Sequence, residues 1–249
     1  MTTKLLPPPS VPADQALNRL QTQGYAVLDA PTVAAWAGVS LAALNALVPS
    51  WQHLPPDDYL KDGGRYRKRR HACFTATGNT LQPVPQRPHW QPVAYNALHG
   101  GMERWFGPMD AAVLQAHAWQ ALILALAGLC SQLKGEQTWF AEAHQFRIDT
   151  TDGIGRPTPE GAHRDGVDLV AVFLVDRHAV KGGETRVFEA DGPHGQRFTL
   201  TEPWSLLLLD DARVIHESTP IQPEAEGGYR DTLVVTLRAQ GFQGQLTVA

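Results

Sequence analysis

The chain has 249 residues, 43% hydrophobic and 18% charged, which suffices for one large buried core and excludes a disordered or fibrous protein. Its formal net charge of −4 offers no global attraction for nucleic acid or an anionic membrane, and neither is an expected partner. Cys73 and Cys130 are the only cysteines, too few for a disulfide framework, so a reducing cytoplasm is the expected setting.

The opening MTTKLLPPPSVPADQ has three consecutive prolines where a signal peptide needs a helical apolar run. Export is not expected, and residues 1–19 read as a flexible tail. GYAVLDA, residues 24–30, has the aliphatic and aromatic content of a first short strand. Ser40 is placed to cap a short helix over LAALNALV, stopped near Pro49. Residues 80–108 are rich in proline and aromatics without periodicity, which predicts a functional or packed loop. Residues 111–130, AAVLQAHAWQALILALAGLC, are interrupted by Gln115, His117 and Gln120; they read as a buried helix of a soluble protein ending near Leu133, not as a membrane span.

Beyond that helix the pattern changes. Short β-rich runs separated by Gly, Pro and Asp cover residues 137–149, 166–176, 184–190, 204–209, 213–218 and 230–238. Strands without crossover helices imply antiparallel pairing. The expectation is an α+β chain of one domain, residues 20–249: a helical part over about 20–136, packed on one face of a jelly-roll core over about 137–240.

The fragment HRDGVDLVAVFLV opens with His163 and Asp165. In an extended chain, positions i and i+2 point to one side, so imidazole and carboxylate can meet one ion. His216, in RVIHEST, lies 216 − 163 = 53 residues on and is the natural third ligand of a facial triad with open positions. Asp168 has the opposite parity and is not expected to ligate. His-x-Asp alone is a weak signal, since an isolated histidine is more often a hydrogen-bonded structural residue. Arg230 and Thr232, 230 − 216 = 14 residues further, again share one strand face, and a guanidinium fork beside a hydroxyl suits a carboxylate. Without the preceding motif, Arg230 would read as an edge-strand surface ion pair.

The order His163-x-Asp165, His216, Arg230-x-Thr232, with Gly-Gly-Glu-Thr at 182–185, resembles the Fe(II)/2-oxoglutarate-dependent dioxygenases. More narrowly, KDGGRYRKRRHACF (61–74), HWQPVAYNALHGG (89–101) and TLTEPWSLLLLDDARVIHESTPI (199–221) are similar to the bacterial group containing free L-isoleucine dioxygenases and BsmA-like proteins. The resemblance covers roughly residues 20–240. It implies a double-stranded β-helix, Fe(II) on His163, Asp165 and His216, and 2-oxoglutarate as co-substrate with its distal carboxylate on Arg230 and Thr232. It also implies O₂ as oxidant and a small molecule, such as a free L-amino acid, as the hydroxylated substrate.

Substrate-facing residues are read from two further segments. RYRKRR, residues 65–70, is either a solvated charged face or a strand over the cavity mouth, from which Tyr66 and Arg69 are the favoured contacts. On the strand before the metal motif, Gln145 and Arg147 alternate with His144, Phe146 and Ile148, and either set could point inward; Arg147 is the named candidate. Trp90 to Trp105 should form an apolar lid. Two other functions stay open at this level. One is a cupin-like metal-dependent isomerase or hydrolase, for which Arg230 would be incidental. The other is a non-catalytic sensor that retained the fold.

Overall fold

The computed structural model describes residues 5–244. Helix α1 (Ala13–Gln23) begins well before the expected onset of order near Leu20: Ala16 and Leu20 are buried, and Gly24, at φ 79°, closes it by donating to the Leu20 carbonyl. Strand β1 (Tyr25–Leu28) follows. Helix α2 (Ala30–Trp36) is capped by Asp29 and α3 (Leu41–Asn45) by Ser40, whose Oγ accepts from Ala43 N. The apolar stretch forms α4 (Ala111–Gln115) and α5 (His117–Lys134), broken at Ala116. Among the described residues, no single helix is long and apolar enough to cross a membrane.

The first part of the chain is less helical than its sequence suggests. Residues 67–77 form β2 (Arg67–Thr77), and the expected loop after it contains β3 (Thr80–Val84) and the short β4 (Gly107–Pro108). The later strands are β5 (Trp139–Asp149), β6 (Leu169–His178), β7 (Val180–Gly182), β8 (Thr185–Glu189), β9 (Gly195–Phe198), β10 (Leu206–Asp210), β11 (Val214–Ser218), β12 (Ile221–Pro223) and β13 (Tyr229–Arg238). The main sheet runs β1-β10-β6-β13-β5-β2-β3; its pairs are antiparallel, and β4 is added parallel to β2. Opposite it lie β11-β8-β9 and β12-β7. The pairs Gly155↔Ile221 and His163↔His216 tie the β5–β6 connection to this second layer. The result is a jelly roll of two antiparallel layers.

Period-two alternation assigns the faces. On the main sheet Phe74, Ala141, Ala171, Phe173, Val235 and Leu237 share one buried cluster with Trp119, Leu122 and Leu126 of α5. The other face carries Arg67 and Arg69 on β2, Glu142, His144 and Phe146 on β5, and Arg230 and Thr232 on β13, all lining one cavity between the layers. Burying charged side chains inside a barrel is costly unless they are paired or meet a ligand. That asymmetry between two faces of one sheet locates the site.

Candidate active site

His163 lies in the β5–β6 connection and pairs with His216 of β11 through two backbone hydrogen bonds of 3.0 Å, each N–H donating to the other's carbonyl. The pairing sets the two rings side by side, centroids 4.7 Å apart. Asp165 reaches them by a route the sequence pattern did not show: the segment is not a strand here. Instead the buried Asp211 carboxylate accepts the backbone N–H groups of Asp165, Gly166 and Val167 at 2.9, 2.7 and 3.2 Å, wrapping the chain into a turn. Asp165 then lies 3.8 Å from His163 Nε2 through Oδ1 and 3.9 Å from His216 Nε2 through Oδ2.

His163 Nδ1 donates to the Gly161 carbonyl at 2.9 Å; because a carbonyl only accepts, Nε2 carries the lone pair that faces Asp165. Burial disfavours charge on His163, but Asp165 and Glu160 outweigh it and raise its pKa above the usual histidine value. His216 is held well below that value by burial and by His163. Burial, then the neighbouring Asp165 charge, pushes Asp211 up to about 6. Ligand atoms of His163, Asp165 and His216 all lie within 4.8 Å of one another. Two imidazoles and a carboxylate at this spacing could hold a divalent transition ion with positions left open.

Arg230 is 3% exposed, and its Nε and one terminal nitrogen are buried without a partner. Burial and then Arg177 lower its pKa to about 10. Its neighbour on the same face, Thr232, is also buried, and the Thr232 carbonyl accepts from Trp51 Nε1 at 3.2 Å. Between Asp231 and Thr232 the register against β6 shifts, an irregularity of the kind that re-aims side chains at a site. An orphaned guanidinium inside a barrel is expensive, so this end of the cavity fits an anion.

The cavity between the layers encloses about 140 Å³ and opens to solvent. Three more arginines reach it. Arg67 donates to Asp57 at 2.7 Å, and Arg69 lies 3.7 Å from the same carboxylate while stacking over Phe106 and Phe146 at 3.6 and 4.4 Å. Arg104 donates to Gln91 Oε1 at 2.8 Å. Each keeps a buried nitrogen unpartnered: Arg67 Nη2, Arg69 Nε and Arg104 Nε. Gln91 in turn donates to Asp165 Oδ1 at 3.0 Å and Asn96 to Gln91. The loop over the cavity is thus polar where an apolar lid was expected; Trp105 is 55% exposed and neither it nor Trp90 faces the cavity.

Of the sequence-derived substrate contacts, only Arg69 lies on the cavity. Tyr66 is buried elsewhere and donates to Asp62 at 2.6 Å. Arg147 has the wrong parity on β5: it forms a two-pronged pair with Asp231 at 2.8 and 2.6 Å and stacks on Tyr229. Gln145 donates to Ser50 on the helical side. RYRKRR is therefore not a uniformly solvated face; Arg67 and Arg69 turn inward while Arg70 pairs with Asp110 outside. Arg104, Gln91, His89 and Glu160 were missed, the first three because their loop has no periodicity. Glu160, whose Oε1 is 3.7 Å from His163 Nε2, stands in a coil three residues before the motif.

A family model described as 2OG-Fe dioxygenase matches residues 48–236. Comparison with the curated proteins found no match. Among solved structures, a BsmA homologue from Methylobium petroleophilum PM1 is 51% identical, with TM-score 0.90 over 95% of this chain and 97% of that one. IDO from Bacillus thuringiensis is 16% identical, with TM-score 0.75 over 91% and 99%. The Fe(II)/α-ketoglutarate-dependent dioxygenase TqaL is 18% identical, with TM-score 0.70 over 90% and 86%; at such identities the likeness is of fold.

Proposed function

We propose, starting from the fact that this chain belongs to the 2OG-Fe dioxygenase family and is thereby an oxidoreductase using Fe(II) and 2-oxoglutarate, that it oxidises a small carboxylic acid such as a free amino acid. In this reading His163, Asp165 and His216 hold the iron and Arg230 with Thr232 receives the distal carboxylate of 2-oxoglutarate. The single observation behind it is one cavity that contains both the triad and an arginine with unpartnered N–H groups. The orphaned donors match a dicarboxylate, and the two-imidazole, one-carboxylate set matches iron. When bound, iron and keto acid supply the O₂-dependent oxidation.

The protein's own residues orient and exclude. Gly161 fixes the His163 tautomer, Gln91 holds Asp165 Oδ1, and Asp211 holds the backbone beneath it. Arg67, Arg69 and Arg104 face the carboxylates of Asp57, Glu160 and Glu142, yet each keeps a buried N–H group unpartnered, and a substrate carboxylate would accept from these donors. Phe106 and Phe146 stack on the Arg69 guanidinium and stiffen that contact, and Phe146 adds an apolar wall to the cavity. Fixing one end by charge and the other by shape is how a site selects a small molecule.

The test is a 2-oxoglutarate consumption screen of the Fe(II)-loaded protein against free amino acids, their des-amino acids and their amides, with products weighed for one added oxygen atom. Turnover stimulated by acids and not by the matching amides is the expected result. Stimulation by amides alone would overturn the carboxylate reading.

A further inference from the structure

A second group of metal-competent side chains stands apart from the triad and shares none of its residues. His71 on β2, Glu142 and His144 on β5 and His89 on the covering loop are all buried, and one ligand atom of each lies within 4.8 Å of the others. The arrangement is tighter than the triad itself. Glu142 Oε2 is 2.7 Å from His89 Nδ1, 3.1 Å from His71 Nε2 and 4.0 Å from His144 Nε2, against 3.8 and 3.9 Å between Asp165 and its two histidines.

The chemistry of the four is not equivalent. Arg69 donates to His144 Nδ1 at 2.7 Å. A guanidinium has no lone pair to offer, so Nδ1 is the acceptor and the His144 proton sits on Nε2, which withdraws His144 as a ligand. Without an ion, His71 Nε2 and His89 Nδ1 donate to the Glu142 carboxylate, which only accepts, and a metal would take the place of these two protons. Each ring presents a lone pair toward Glu142 once its proton sits on the other ring nitrogen, and His71 Nδ1 is buried without a partner in either tautomer. Two imidazoles and one carboxylate, buried and within reach of one centre, are a donor set suited to a divalent transition ion.

We propose that His71, His89 and Glu142 form a second metal site, for a divalent transition ion. His89 and Arg104 pair through backbone hydrogen bonds of 2.9 and 3.0 Å, closing the neck of the loop that carries Gln91 and Asn96. An ion held through His89 pins that neck to β2 and β5, and Gln91 passes the constraint to Asp165. Its role is structural. Arg69 and Arg104 nearby weaken the site by repulsion, and the ion's charge adds to the cavity's demand for an anion.

The experiment uses the full chain, stripped with a chelator and dialysed against micromolar Co(II) alone, with cobalt per chain measured by elemental mass spectrometry. Wild type takes up two equivalents, Asp165→Ala one, and Glu142→Gln one. Asp165→Ala leaves the second cluster untouched, so it reads that site even if Glu142→Gln fails to fold, and His89→Gln serves as the alternative variant. One equivalent in wild type, none in Asp165→Ala, or two in folded Glu142→Gln or His89→Gln overturns the proposal; the last outcome places the extra ion on surface histidines.

Discussion

The Asp211 carboxylate accepts the backbone N–H of Asp165 at 2.9 Å, and Asp211 itself lies in the turn between β10 and β11 that leads to His216. One buried side chain thus ties the turn that carries Asp165 to the turn that leads to His216. Asp211→Ala orphans the N–H groups of residues 165–167. Leaving a buried donor unsatisfied costs about 1–3 kcal/mol. The expected outcome is at least ~10-fold weaker iron binding, at about 1.4 kcal/mol per factor of ten, measured by titration in the presence of 2-oxoglutarate. Unchanged affinity would show that the turn holds without it.

Arg230→Ala should weaken 2-oxoglutarate binding by about 10- to 100-fold, from a charge-assisted contact worth roughly 1.5–3 kcal/mol. Iron content should stay near wild type, because Arg230 touches none of the triad. Arg230→Lys should recover part of the loss, since it restores the charge but not the fork. Calorimetric titration of keto acid into the iron-loaded variants reads all three.

Asp57 is buried between Arg67 and Arg69; burial acts to raise its pKa, but the two guanidinium groups, Arg69 first, prevail and lower it. A depressed carboxylate contributes stability that is present above its unfolded pKa, about 3.9, and lost as pH falls through the folded one. Asp57→Asn should therefore cost about 3–5 kcal/mol at pH 7. The gap to wild type should narrow only below about pH 4. Urea unfolding at a series of pH values tests both magnitude and sign; a gap that closes toward alkaline pH instead would refute the assignment.

Gly166, next to Asp165, has φ 75°, and a Cβ there would lie 2.5 Å from the Tyr95 ring and 3.0 Å from Gln243 Nε2. Gly166→Ala is expected to shift the turn, costing about 1–3 kcal/mol of stability through backbone strain alone. Iron affinity should fall with it. A melting temperature and metal affinity both equal to wild type would mean that Tyr95 yields freely.

Most of the jelly-roll strands were legible because each is long, β-rich and bounded by turn residues, as in β5, β6 and β13. The strand β2 was obscured by its composition: in RKRRHACF, Arg67 and Arg69 face the cavity while Lys68 and Arg70 pair with Asp149 and Asp110 on the other face before Ala72 and Phe74 enter the core, and a run of charge reads as solvent exposure. Spacing and family resemblance singled out His163, Asp165 and His216, and the structure brings the three together, but by backbone pairing and Asp211 where side-chain parity on a strand was expected. Gln145 and Arg147 against His144, Phe146 and Ile148 was a choice between two faces that a single strand cannot decide, because both neighbouring layers bury polar atoms. Arg104 and Gln91 carry no local signal, and only the closure of their loop brings them to the cavity.

The backbone pair between His163 and His216 closes a loop of 53 residues, and an ion on both rings would fasten that closure a second time. A loop of this length costs about 3.5 kcal/mol to close on the logarithmic estimate, and doubling it adds only about 0.6 kcal/mol. The stretch between the two ligands is consequently free to change in length at the exposed turn between β8 and β9, lengthening or shortening the rim of the second layer while the clasp at its base stays in register. Chain length in that interval can diverge between relatives far more readily than at the one-residue interval separating His163 from Asp165.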